Sequence, residues 1–130
     1  MRLGIQQLHQ QLERELAPVY LLSGDEPLQM MEAADAIRQH ARAQGYTERE
    51  VFTVEKGFDW DSLTAASDSL SLFAERRVID LRLPTGKPGD AGARELRAWA
   101  ERPPADTLLL VTSGKLEPAA RKSKWLQALN

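Results

Sequence analysis

The 130-residue sequence has no cysteine, only two histidines, and few aromatic residues: three tryptophans, two tyrosines and three phenylalanines. Without cysteine there are no disulfides, no thiolate catalysis and no cysteine-based zinc sites, a composition that fits a reducing compartment. No apolar run approaches the roughly 18 residues of a membrane span, and Met1–Gln7 lacks the apolar stretch of a signal peptide. The cytoplasm is therefore the expected location. An excess of one charge is also missing: 17 Lys and Arg face 19 Asp and Glu, for a formal net charge of −2. The chain as a whole thus has no attraction to nucleic acid or to an anionic membrane.

The hydrophobic fraction is 42%, enough for the core of one ordinary domain. Ile5, Leu8, Leu12 and Leu16 recur at spacings of three and four, which predicts an amphipathic helix that Pro18 ends. "VYLLS" (19–23) reads as a short buried strand. Gly24-Asp25-Glu26-Pro27 turns into a helix striped by Met30, Ala34, Ile37 and Ala41, with Gly45 as a left-handed stop. "EVFTVE" (50–55) alternates as a strand, and Asp59 is a candidate N-cap for a helix carrying Trp60, Leu63 and Ala66. "RVIDLRL" (77–83) is a third strand, 84–92 a Gly- and Pro-rich loop, 93–101 a helix with Leu96 and Trp99, and "TLLLVTS" (107–113) a fourth strand. A last helical piece carries Trp125 and Leu126. Strands alternating with helices predict an α/β three-layer sandwich with a mainly parallel sheet. The stop at Asn130, before any helix cap, suggests a larger protein divided at a domain border.

Parallel sheets bind phosphate at the first strand-to-helix turn, which here is "SGDEPL". A phosphate loop needs several glycines and Gly-Lys-Ser/Thr, whereas this turn has one glycine, no lysine, and two carboxylates that repel an anion. Asp25 and Glu26 are expected to satisfy the helix end themselves. In "PTGKPGDAG" (84–92) Lys87 precedes proline, and in "SGKL" (113–116) Lys115 precedes leucine, so neither fits a phosphate loop, and the first reads as a flexible surface loop. Asp25, Glu26, Asp80, Thr112 and Lys115 loosely match the acidic pair, aspartate, hydroxyl and lysine of a phosphoacceptor receiver. Asp80, however, lies inside its strand, three residues short of the end, and reads as an ordinary polar residue on a strand flank. His9 and His40 fall on separate polar stretches without partners, and Lys115, Arg121, Lys122 and Lys124 read as a solvated face. Catalytic residues, metal ligands and cofactor sites are not expected.

The remaining signal is "SLSLFAERR" (69–77), where Leu70, Leu72 and Phe73 crowd into four positions beside charges. Burying each side chain is worth roughly 1.5–3 kcal/mol. The residues alone leave two readings: the three roof the sheet, or they form an apolar plug for a pocket on another protein. The order "YLLSGDEPLQMMEAADAIR" (20–38), "DW" (59–60), "SLSLFAERRVIDLRLP" (69–84) and "DTLLLVTSGKL" (106–116), with a later tryptophan, resembles the amino-terminal domain of the delta subunit of bacterial DNA polymerase III. The resemblance runs from about Val19 to Trp125.

That resemblance implies a single AAA+-like domain over 1–130 with P-loop-type topology and a degenerate nucleotide site. It also implies four strands in the spatial order 1-4-3-2, and a fifth strand that would start beyond Asn130 beside "VYLLS", whose edge is left open or covered by the first helix. The lid and collar domains of the full subunit would lie outside this chain. The function implied is non-catalytic, within a DNA polymerase holoenzyme: gripping the sliding clamp (the beta subunit) and helping to open the ring during DNA replication, alongside other clamp-loader subunits. The clamp contact would fall on Leu70, Ser71, Leu72 and Phe73, with leucine at a first position where methionine is common. A receiver-like signalling domain is the alternative.

Overall fold

Helix and strand alternate along the chain in the computed structural model, which describes residues 5–24, 26–68, 76–114, 116 and 122–129. The order is α1 (Ile5–Arg14), β1 (Val19–Ser23), α2 (Pro27–Ala43), β2 (Tyr46–Thr53), α3 (Asp61–Asp68), β3 (Arg76–Leu83), α4 (Gly89–Glu101), β4 (Thr107–Ser113) and α5 (Lys124–Leu129). The four strands form one sheet in the order β1-β4-β3-β2, with every pairing parallel. This is the predicted order. Parallel neighbours cannot be joined by tight hairpins, so the connecting helices are laid on both faces.

The two-residue period of the strands sorts the core into halves. Val19, Leu21, Ile79, Leu81, Leu83, Leu109 and Val111 point to one face, under α3, α4 and α5, where Leu63, Leu96, Trp60, Trp99, Trp125 and Leu126 meet them. Tyr20, Leu22, Val78, Leu108 and Leu110 point to the other face, under α1 and α2, against Leu8, Leu12, Ala33, Ala34, Ile37 and Ala41. A three-layer sandwich follows. The predicted stripe of α2 is buried at Ala34, Ile37 and Ala41 and half-buried at Met30. α1 belongs to the α2 side, where the Tyr20 hydroxyl donates to Gln11 Oε1 at 2.6 Å and accepts the Ala17 N–H at 3.0 Å. Burial pushes the Tyr20 phenol up, against the opposing pull of those two hydrogen bonds.

Local chemistry sets several element ends. Gly45, at φ +96°, closes α2 by donating its N–H to Arg42 O, as a left-handed glycine does after a helix. Asp59 Oδ1 accepts the Asp61 N–H at 3.0 Å, so the predicted N-cap holds the start of α3. Several boundaries differ from the sequence reading, among them the end of α1 at Arg14 rather than Leu16 and the start of β3 at Arg76 rather than Arg77. β2 begins at Tyr46 rather than Glu50, because an edge strand half open to water pairs through its backbone and needs no apolar pattern at Thr47, Glu48 and Arg49. It ends at Thr53, although the Val54 N–H still reaches Arg82 O. The supposed loop 84–92 is half helix: α4 starts at Gly89, and Gly92 is buried where a Cβ would stand 2.3 Å from Trp60 Cζ2. The glycine there is a packing requirement, not a sign of looseness.

Candidate functional site

At the carboxyl ends of the strands, the β1–α2 turn places Gly24 at φ +153°, Glu26 as N-cap and Pro27 in the first turn of α2. The Glu26 carboxylate makes no capping hydrogen bond, which corrects the expectation that it satisfies the helix end. Pro27 removes one donor of that turn, since it has no N–H. The exposed charge of Glu26 still faces the position an anion would take. Asp25 lies outside the described residues.

Beside this turn a concavity of about 390 Å³ is lined by Met30, Met31, Arg38, Asp80, Arg82 and Thr112, among others. Met31, on its lining, is 59% exposed. The floor differs from the sequence reading, in which Asp80 is an ordinary flank residue. Asp80 is 1% exposed and projects from β3 onto the apolar α2 face, next to Val78 and across from Leu110. Arg38 Nη1 donates to Asp80 Oδ2 at 2.7 Å, and Arg49 donates to the same oxygen from Nη2 at 2.9 Å and Nε at 3.3 Å. Arg38 also donates from Nη2 to Asp35 Oδ1 at 2.7 Å. A carboxylate in that position is tolerable only when paired, and here both partners are cations on neighbouring elements. The ion pair joins α2, β2 and β3. A receiver needs that aspartate free at the carboxyl edge, whereas three strand residues follow Asp80 and two guanidinium groups hold it. Among the described residues no group of three or more His, Cys, Asp or Glu could hold a metal ion, and no helix is long and apolar enough to cross a membrane. His40 is half-buried on α2.

The predicted contact residues Leu70, Ser71, Leu72 and Phe73 lie outside the described residues, as do Lys115 and Arg121. The described structure fixes what flanks them. α3 ends at Asp68, and β3 opens with Arg76 at the amino end of the sheet. Arg76 Nη1 donates to Gln44 O at 2.8 Å, its Nε lies 3.4 Å from Asp106 Oδ1, and its guanidinium sits 5.7 Å from the centre of the Tyr46 ring. One side chain thus ties the start of β3 to the α2–β2 turn and the α4–β4 loop. Asp106 stands at φ +57°, and its carbonyl accepts the Arg77 N–H at 3.0 Å. Sequence reasoning missed this tether. Its only local signal is an arginine directly after an apolar cluster, while its partners come from distant stretches.

The chain is similar to known proteins in sequence and in fold. Residues 20–130 match the sequence profile of the family described as DNA polymerase III, delta subunit. The chain is 36% identical over 129 residues to DNA polymerase III subunit delta of Escherichia coli K12, covering 99% of this chain and 38% of that one. It is 32% identical over 131 residues to the same subunit of Haemophilus influenzae, covering 99% and 37%. It thus spans less than two fifths of these relatives. Among solved structures, the fold is similar to the Bacillus subtilis DNA clamp loader delta protein, with TM-score 0.73 and 21% identity over 97% of this chain and 40% of that one. It is also similar to a DNA polymerase III gamma subunit-related protein from Thermotoga maritima, with TM-score 0.62 and 10% identity, covering 96% and 43%.

Proposed function

Because the chain belongs to the DNA polymerase III delta subunit family, we propose that it is the sliding-clamp-binding part of a clamp loader, with Leu70, Leu72 and Phe73 as its apolar plug. The observation that carries this reading is the family match over 20–130, which includes the plug and the strand after it. Two physical features support it. The first is the β1–α2 turn, which has the place of a phosphate site but not its donors, in keeping with a domain that binds a protein and catalyses nothing. The second is Arg76, which anchors the carboxyl side of the plug segment to two neighbouring loops and so limits the freedom lost on binding.

In this reading Leu72 and Phe73 enter a pocket on one clamp protomer, with Ser71 as the small spacer and Leu70 flanking them. Two large apolar side chains at the centre of a small interface form the anchoring hot spot. Binding opens the clamp ring only by as much as the domain prefers the distorted protomer over the closed one. The other clamp-loader subunits act through parts of the protein that follow this segment in the longer relatives, and the place of action is the bacterial cytoplasm. The reading is tested by titrating the chain into the isolated sliding clamp in a calorimeter. The double substitution Leu72→Ala/Phe73→Ala is expected to weaken binding roughly a hundredfold or more, with an unchanged circular dichroism spectrum. Loss of the folded spectrum would instead make these side chains part of the core.

A further inference from the structure

Two basic stretches that read separately as solvated surface meet in space. Lys87, in the β3–α4 connection, and Lys124, at the start of α5, line one concavity of about 450 Å³ together with Arg94 and Arg97 of α4. Arg94 and Arg97 are three residues apart and so share a helix face. Among the described residues of the lining Asp90 is the one carboxylate, which leaves these an excess of three positive charges (four cations less one anion) in a chain of net charge −2.

Arg38, Arg49, Arg76 and Arg77 each have a carboxylate within 4.0 Å. Among the described residues, Lys87, Arg94, Arg97 and Lys124 form no ion pair. Buried Leu116 and Trp125 supply an apolar wall, which strengthens charge interactions at the mouth. The thirteen-residue helix α4 points its amino end into the same space, and its N-cap, Pro88, makes no capping hydrogen bond. Like-charged side chains converging around a single described carboxylate cost repulsion that a bound polyanion relieves.

We propose that this concavity binds a phosphate-bearing ligand, held by Lys87, Arg94, Arg97 and Lys124 at the amino end of α4. The site is separate from the β1–α2 turn, none of whose described residues lines it. It also stands independently of the clamp-binding reading. The phosphate could belong to a small free molecule or to a nucleic-acid backbone, and two probes distinguish these sources.

The experiment titrates the chain with inorganic pyrophosphate and, separately, with a short DNA duplex. Tryptophan fluorescence and backbone amide shifts report binding, and each titration is repeated with Arg94→Gln/Lys124→Gln. Pyrophosphate is expected to shift amides of residues 85–97 and 122–125, and the double substitution to weaken binding roughly tenfold or more at an unchanged unfolding temperature. Saturation by pyrophosphate assigns the site to free phosphate compounds. Binding of the duplex alone, steeply weakened by salt and lost in the variant, assigns it to a nucleic-acid backbone. The proposal is overturned if neither probe binds, if the variant binds either as well as the parent does, or if the shifts are confined to residues 24–28.

Discussion

The two ends of the sheet have been put to different uses. At the carboxyl ends of the strands, where parallel α/β folds ordinarily hold a nucleotide, Pro27 stands in the first turn of α2, Met30 and Met31 line the concavity, and Asp80 is locked by Arg38 and Arg49. At the amino ends, Arg76 gathers the α2–β2 turn and the α4–β4 loop around the start of β3, directly after the segment proposed to bind the clamp. The carboxyl end keeps a concavity, while its buried carboxylate is held by two arginines. The difference teaches that the frame of this parallel α/β scaffold does not depend on a ligand at that turn, because it is held by two apolar cores and one buried ion pair.

The strongest way to break this comparison is at Asp80. Asp80→Ala leaves Arg38 facing an apolar layer, and is expected to cost about 3 kcal/mol of stability in urea denaturation, a little less than a wholly buried pair because Arg49 can turn to water. Asp80→Leu combined with Arg38→Met and Arg49→Met should recover most of that loss and leave clamp binding unchanged. Recovered stability with lost clamp binding would mean that the carboxylate takes part in function.

A smaller effect is expected at Tyr20. Its phenol is raised above the ordinary value of 10.0 by burial, so the neutral form is the one the fold favours. The associated stability is complete below pH 10 and is lost as pH rises through the higher folded value, because the unfolded chain releases the proton first. Tyr20→Phe should remove this alkaline loss and cost about 1 kcal/mol at neutral pH through the bonds to Ala17 and Gln11. A parent and a variant with the same alkaline profile would contradict the assignment.

The smallest effect on stability, and the one that sharpens the comparison most, is at Arg76. Its exposed ion pair with Asp106 is worth little, so Arg76→Ala should destabilise the fold by less than about 1 kcal/mol. Clamp affinity should nevertheless fall several-fold, since the plug loses its anchor. Arg76→Lys should recover only part of that affinity, because lysine keeps the charge but not the fork that reaches Gln44 and Asp106 together.

What could be read from the sequence follows the range of the interactions involved. Helix stripes, the Asp59 cap and the Gly45 stop depend on neighbours in the chain, and the structure bears them out. The strand order agrees as well, although it came from the resemblance rather than from any local pattern. The role of Asp80 was not legible because its partners lie 42 and 31 residues away, and nothing in "VIDLRL" points to them. The first turn of α4 was hidden because glycines in "GDAG" read as loop until Trp60 is seen packed on Gly92. Glu26 has the position of a cap but makes no capping hydrogen bond, its side chain being one methylene longer than that of the aspartate that ordinarily serves there. The proposed plug shows in the sequence only as an excess of apolar side chains, and its assignment to a clamp pocket is a proposal that rests on the family.

The most direct measurement is the hydrogen-exchange footprint of the chain with and without the sliding clamp. Protection should concentrate on residues 68–77 and the Arg76 tether at Gln44 and Asp106, with the β1–α2 turn at 24–31 unchanged. Protection centred on 24–31, with residues 68–77 exchanging as in the free chain, would contradict it.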